Sequence, residues 1–126
     1  MTVEAKIAPK NSLLLIMDRD GGEIPISMDG RLVVSTPSCI AVGTLSEADG
    51  ETSVIMTNEK TLFNADANLR KVFTGVLATP QREVQVCTVL LQPVVKIAVM
   101  SLRNKVEIWA NSESEPSKLR VIISSI

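Results

Sequence analysis

The acidic residues around one glycine pair are the clearest candidates for chemistry in this chain. Asp18, Asp20 and Glu23 surround Gly21-Gly22, and carboxylate oxygens beside a glycine turn are ligands that Ca²⁺ prefers. The spacing does not match an EF-hand loop, which needs a longer ligand register and a glutamate at its end. Asp beside Gly is also ordinary turn chemistry, because the carboxylate accepts hydrogen bonds from nearby backbone. Two interpretations follow. These three residues are weak candidates for a metal site, and an ordinary turn without a metal is the favoured interpretation.

The absence of histidine and tyrosine excludes most other enzyme chemistry. Histidine is the usual general acid or base near neutral pH and the commonest metal ligand, so serine-hydrolase triads and ordinary zinc sites are excluded. No glycine-rich phosphate-binding motif occurs. Fourteen acidic residues are present, but nothing marks a catalytic pair. We predict a protein that is not an enzyme and that has no cofactor, and keep a carboxylate-based hydrolase or small-ligand binder as an alternative.

Two cysteines, Cys39 and Cys87, each lie in an apolar stretch. Their separation fits neither a zinc motif nor a CxxC pair. Buried, inert thiols are the favoured interpretation. A disulfide stays open if their strands are neighbours, and a nucleophilic thiol would need an activating base that histidine cannot supply.

Charge and hydropathy restrict the partners and the location. The net charge is −1, and the thirteen basic residues are scattered, unlike the basic patches of nucleic-acid-binding proteins. Only three aromatic residues are present, so base-stacking platforms are not expected. No apolar run is long enough to cross a bilayer, and the N-terminus lacks a secretion signal. We therefore expect a cytoplasmic protein that binds neither nucleic acid nor membrane.

Hydrophobic residues alternate with a period of two along most of the chain, which predicts a single all-β domain over residues 1–126. About nine short strands separated by turn signals favour an antiparallel β-sandwich or a β-barrel-like fold. Asp29-Gly30 predicts a hairpin between residues 24–28 and 32–35, and Pro25 places its first strand at a sheet edge. A second hairpin is predicted between residues 40–45 and 52–57. Residues 13–17 form a continuous apolar run, which is typical of a strand buried on both faces.

The irregular stretch 58–68 predicts one long crossover loop between two sheets. It is polar and rich in asparagine, with Leu62 and Phe63 near its middle. Long loops in compact domains are uncommon and often functional. We therefore list these two side chains as interface candidates.

The single tryptophan is a further interface candidate. If Val106 and Ile108 face the core, alternation places Trp109 on the opposite face, where an exposed tryptophan can anchor a partner. Glu113 and Glu115 follow it closely and would give such a surface an acidic rim. The alternative is that Trp109 closes the core from its edge.

Several strands are apolar on both faces, although an antiparallel sandwich needs only one apolar face per strand. These are the runs 13–17, 89–91, 94–95 and 121–123. Large exposed apolar patches are rare on monomers. We therefore expect a homo-oligomer, most simply a two-fold dimer.

The first functional hypothesis is a non-catalytic protein-interaction module that binds itself or a protein partner. Small size, acidic balance and lack of catalytic groups are shared by small bacterial inhibitors and immunity-type proteins. Such a protein could block a basic enzyme through acidic loops at 18–23, 49–51 and 113–115, provided that the loops meet on one surface. A self-assembling structural subunit is the second hypothesis, and the carboxylate-based ligand or metal binder is the third.

Overall fold

Ten β-strands form two five-stranded sheets in the computed structural model, which describes residues 1–59 and 68–126. The strands are β1 (Thr2–Ile7), β2 (Leu13–Asp18), β3 (Val33–Thr36), β4 (Cys39–Gly43), β5 (Thr52–Thr57), β6 (Arg70–Ala78), β7 (Glu83–Cys87), β8 (Pro93–Ala98), β9 (Arg103–Ala110) and β10 (Lys118–Ser125). One short 3₁₀ turn, Lys10–Ser12, precedes β2. The all-β sandwich prediction is confirmed.

Sheet I has the strand order β1-β5-β10-β9-β6, and sheet II has the order β3-β4-β2-β7-β8. Neighbouring strands run antiparallel, except that β10 runs parallel to β5. Consecutive strands repeatedly change sheet, since β1, β5, β6 and β9 lie in sheet I whereas β2, β4, β7 and β8 lie in sheet II. Residues from distant parts of the chain therefore meet at each end of the sandwich.

The core lies between the sheets and consists of the inward-facing residue of each alternating pair. Sheet I contributes Val54, Val106, Ile108 and Val121, and sheet II contributes Leu14, Ile16, Ile40 and Val84, all essentially inaccessible to solvent. A second buried cluster lies on the outer face of sheet II and consists of Leu15, Met17, Cys39, Ala41 and Cys87, with Met28 packed against it.

Burial of β2 on both faces, predicted from its continuous apolar run, is confirmed. The same chain covers the outer face of this strand, since Leu15 and Met17 are both 2% exposed. Ile122 on the outer face of β10 is also buried. The outer faces of β2 and β10 therefore need no second copy of the chain to cover them. The prediction of a homo-oligomer rested on strands that are apolar on both faces, and these two strands no longer support it.

The first predicted hairpin is wrong. The Asp29-Gly30 turn forms, with positive φ at both residues and a 2.8 Å hydrogen bond from the Arg31 amide to the Met28 carbonyl. However, residues 24–28 form no strand. Pro25 has no amide to donate to a ladder, Ile24 and Ile26 are exposed, and only Met28 packs against a buried cluster, so the segment lacks the row of buried side chains that would hold a strand. β3 instead pairs with β4 around Pro37 and Ser38.

The second predicted hairpin has the right strands and the wrong pairing. β4 lies in sheet II and β5 in sheet I, so the loop between them crosses from one sheet to the other. The segment 58–68, predicted to cross between the two sheets, instead connects β5 to β6 of the same sheet, sheet I, in which β10 and β9 lie between them. Most of it, including Leu62 and Phe63, lies outside the described residues. In the part of the chain that the structure describes, no helix is long and apolar enough to cross a membrane.

Candidate functional site: an acidic end of the sandwich

Two acidic loops, far apart in sequence, adjoin at one end of the sandwich. The loop 44–51 joins β4 to β5, and the loop 111–117 joins β9 to β10. The Leu45 amide donates to the Pro116 carbonyl over 2.9 Å, and the Ser53 amide donates to the Ser117 carbonyl over 2.8 Å. We call these two loops together the acidic end. Their contact follows from the parallel pairing of β5 with β10, because both strands begin at this edge of sheet I.

The acidic end carries five exposed carboxylates and no basic residue within either loop. These are Glu47, Asp49, Glu51, Glu113 and Glu115. In the described part of the chain, four basic residues surround the loops: Lys118 and Arg70 stand at the starts of β10 and β6, and the exposed Lys6 and Lys10 lie at the same end, since Lys6 is paired with Ser53 and the turn Lys10–Ser12 accepts a hydrogen bond from the Thr44 amide. Like charges gathered on exposed loops favour a positively charged partner, and they raise its association rate by electrostatic steering.

Side-chain hydrogen bonds fix the shape of both loops. Ser112 Oγ accepts from the Ser114 and Glu115 amides, each over 3.2 Å. Asn111 Oδ1 accepts from the Ser117 and Lys118 amides over 3.0 and 3.1 Å. These caps satisfy backbone donors that the strands leave unpaired. The loops therefore present their carboxylates from a defined backbone, which reduces the entropy lost on binding.

The loop 44–51 is held in the same way. The Asp49 amide donates to the Ser46 carbonyl over 2.9 Å, which closes a tight turn, and the Ala48 amide donates to Ser46 Oγ over 3.3 Å. Asp49 and Glu51 were expected to lie in a hairpin tip. They lie instead in a connection between the sheets, and this brings them against the loop that carries Glu113 and Glu115.

The third acidic loop, residues 18–23, lies at the opposite end of the sandwich, where its carboxylate Asp18 stabilises the backbone of a turn. Asp18 is 1% exposed, and its two carboxylate oxygens accept from the Gln81 amide over 3.0 Å and from the Asp20 amide over 3.1 Å. The Glu23 amide donates a hydrogen bond to Ser38 Oγ over 2.8 Å. Among the described residues, no three Asp, Glu, Cys or His side chains are grouped so that they could hold a metal ion. Asp18, Asp20 and Glu23 are therefore not brought together as ligands.

Trp109 lies on the outer face of sheet I, opposite in direction to the buried Val106 and Ile108, as alternation predicts. It is partly buried. Its cross-strand partners are Arg120 on β10 and Lys71 on β6. Glu107 lies on the same face and pairs with Lys71 and Lys105, each over 3.7 Å, so the surroundings of Trp109 are of mixed charge, whereas Glu113 and Glu115 lie in the loop beyond the end of β9.

Both cysteines are free and buried on the outer face of sheet II. Cys39 is paired with Met17 of β2 and Cys87 with Leu15 of the same strand, so β2 lies between them. Two strand spacings place their Cα atoms roughly 10 Å apart, beyond the reach of a disulfide. Burial raises the pKa of Cys39 to about 11, with a smaller contribution from Cys87, and burial raises the pKa of Cys87 to about 11. Neither thiol is an activated nucleophile near neutral pH.

A polar cleft of about 420 Å³ lies beside the acidic end. Its lining residues are Asn68, Arg70, Ala110, Asn111, Ser112 and Glu113. Asn111 is already engaged in capping the loop 111–117, and Arg70 brings a positive charge beside Glu113. The cleft therefore forms a polar border of the acidic end.

Sequence reasoning missed Glu47 and the adjacency of the two loops. The available signal was the absence of Lys and Arg throughout 44–51 and 111–117. The position of the loops relative to each other could not be predicted without knowing that β5 and β10 are neighbours.

The sequence matches no protein-family model and no curated protein. Two solved structures share the fold. ComJ from Bacillus subtilis, described as an inhibitor of the DNA-degrading activity of NucA, is similar with a TM-score of 0.70 and 7% identity, over 98% of this chain and 96% of ComJ. The protein of crocagin biosynthetic gene J is similar with a TM-score of 0.55 and 14% identity, over 99% of this chain and 97% of the other. At these identities the likeness is one of fold, over essentially the whole length of each chain.

Proposed function

We propose that this protein is a non-catalytic inhibitor that binds a basic, DNA-degrading enzyme through its acidic end. The observation that carries the proposal is the contact between the loops 44–51 and 111–117, which gathers five exposed carboxylates and no basic residue within the two loops. A nucleic-acid-degrading enzyme binds a polyanion, so its substrate site attracts phosphate charge. Carboxylates on a firmly held loop pair can compete for the same site.

The fold comparison supports the same proposal. ComJ carries this fold and is an inhibitor of the DNA-degrading activity of NucA, so the fold is compatible with that activity. Buried thiols and the lack of histidine favour a role without catalysis. The partner therefore supplies the active site, and this chain supplies a complementary charged surface.

The test compares two variants of equal net charge. The acidic-end variant carries Glu47→Lys and Asp49→Lys, and the control carries Asp20→Lys and Glu23→Lys at the opposite end; all four side chains are exposed. DNA degradation by NucA serves as the first probe, and DNA-degrading activity captured from a lysate of the protein's own source serves as the second.

We expect the wild type and the control to inhibit degradation, and the acidic-end variant to lose about 10-fold or more in inhibitory potency, because steering and pairing are lost. Equal potency of the two variants would show that the acidic end is not the binding surface. If the wild type neither inhibits NucA nor captures any DNA-degrading activity, the proposed function is overturned.

A further inference from the structure

The four edge strands of the sandwich differ in how well they are protected against pairing with another strand. β1 carries Glu4 and Lys6 and packs beside β8, so these two edges shield each other. β3 has only four residues. β6 has nine, and from Val72 to Ala78 it contains neither a charge nor a proline. Charges, prolines and short length are the usual protections of an edge strand, and β6 lacks all of them over this stretch.

Among the described residues, the outer edge of β6 has one backbone partner, at Ala78, so the groups without a described partner are those of Thr74 and Val76 and any pairing there ends before Ala78. The Ala78 amide donates to the Pro37 carbonyl over 2.9 Å, so the backbone of Ala78 faces away from β9. The register with β9 is continuous from Phe73 to Ala78. Because alternate residues of a strand point to the same side, the amides and carbonyls of Thr74 and Val76 also face away from β9. Val76 is 41% exposed, and it lines an open groove of about 420 Å³ between β6 and β3.

We infer that the edge of β6 pairs with β6 of a second copy of this chain, antiparallel about a two-fold axis at Gly75. In this register Thr74 of each copy lies opposite Val76 of the other, and the two pairs exchange four backbone hydrogen bonds. A two-fold axis makes the interface self-complementary. The β-branched side chains of Thr74 and Val76 meet on one face, which favours strand pairing.

The charges of β6 favour a second copy as the occupant. Arg70 and Lys71 stand at one end of the strand only. Antiparallel pairing centred on Gly75 therefore places them at opposite ends of the interface, where they do not face each other. The uncharged part of the strand lies at the axis. The loop 111–117 begins where β9 ends, next to the start of β6, and the loop 44–51 contacts it, so both acidic loops lie away from the axis and stay accessible for a partner.

The experiment is sedimentation equilibrium of the full chain from about 1 µM to about 1 mM, the range that covers weak to moderate dimer affinities. Val76→Glu places a charge near the axis and lies opposite Lys105 within the monomer, so the fold is retained. Val76→Thr is the control, because it keeps the amide and the β-branched shape. We expect the wild type and Val76→Thr to dimerise and Val76→Glu to weaken the dimer by about 10-fold or more.

Hydrogen exchange gives a second measurement that does not depend on the variant. The amides of Thr74 and Val76 should exchange rapidly at low protein concentration and become protected at high concentration, whereas buried amides should not change. A wild type that stays monomeric throughout the range overturns the inference. A dimer that Val76→Glu leaves intact, with no concentration-dependent protection at Thr74 and Val76, also overturns it. Neither result bears on the acidic end.

Discussion

Alkaline pH should destabilise the protein through its two buried thiols. Cys39 and Cys87 are 0% and 3% exposed, and burial raises the pKa of each from 9.0 to about 11. In the unfolded chain the thiols ionise first, so between pH 9 and 11 the unfolded state holds fewer protons than the folded state. Stability then falls as pH rises, and the contribution of the thiols is fully present only below pH 9.

The size of the effect follows from the shift. One pKa unit corresponds to about 1.4 kcal/mol, so at pH 10 the two thiols together should lower the free energy of unfolding by about 3 kcal/mol relative to pH 8. Such a loss is a large part of the stability of a domain of this size. The chain has no tyrosine, which leaves lysine as the other side chain that titrates in this range.

The assay is urea unfolding at pH 8, 9 and 10 under reducing conditions, followed by the fluorescence of the single tryptophan, Trp109. The comparison is with the double variant Cys39→Ala/Cys87→Ala. This variant will be less stable at pH 8 because it loses packing, but it should lose much less further stability by pH 10. If the wild type and the variant lose stability in parallel, the thiols are not the cause and the rise of their pKa on burial is refuted.

Three further predictions concern stability. Asn104→Ala removes the hydrogen bonds that the buried Asn104 Nδ2 donates to Thr79 Oγ1 over 2.8 Å and to the Ser101 carbonyl over 3.1 Å. The free energy of unfolding measured in urea should fall by about 1–3 kcal/mol. An unchanged unfolding midpoint would contradict this hydrogen-bond network. Gly22→Ala places a Cβ against the backbone of Ser38, so the melting temperature should fall, and retention of the wild-type value would show that the contact is absent. Millimolar Ca²⁺ should leave the melting temperature unchanged because both oxygens of Asp18 are occupied by backbone amides; a rise would instead support a metal site.

The strands could be predicted from the sequence because alternation reports which face each residue presents. The apolar run 13–17, for example, predicts β2 with burial on both faces. Alternation does not report which strand is a neighbour. Residues 40–45 and 52–57 were therefore paired with each other, although their strands lie in different sheets.

The failure at residues 24–28 has a different cause. The Asp29-Gly30 turn signal was correct, but a turn forms a hairpin only if both flanking segments find a surface to pack on. Ile26 does not, since it is fully exposed.

The sequence could predict which acidic residues lie in loops, but it could not predict that two of these loops meet. The acidic residues Asp49, Glu51, Glu113 and Glu115 were visible as loop charges. Their adjacency depends on the parallel pairing of β5 with β10, a contact between segments more than sixty residues apart, for which the local sequence gives no signal.

The salt dependence of association with the captured or probe enzyme tests the central claim most directly. The association rate constant of the wild type should fall steeply as ionic strength rises, because steering by the acidic end is screened. The Asp20→Lys/Glu23→Lys control should keep this dependence, and the Glu47→Lys/Asp49→Lys variant should associate slowly with little dependence on salt. If the two variants show the same salt dependence, the acidic end does not guide binding and the account of this surface is contradicted.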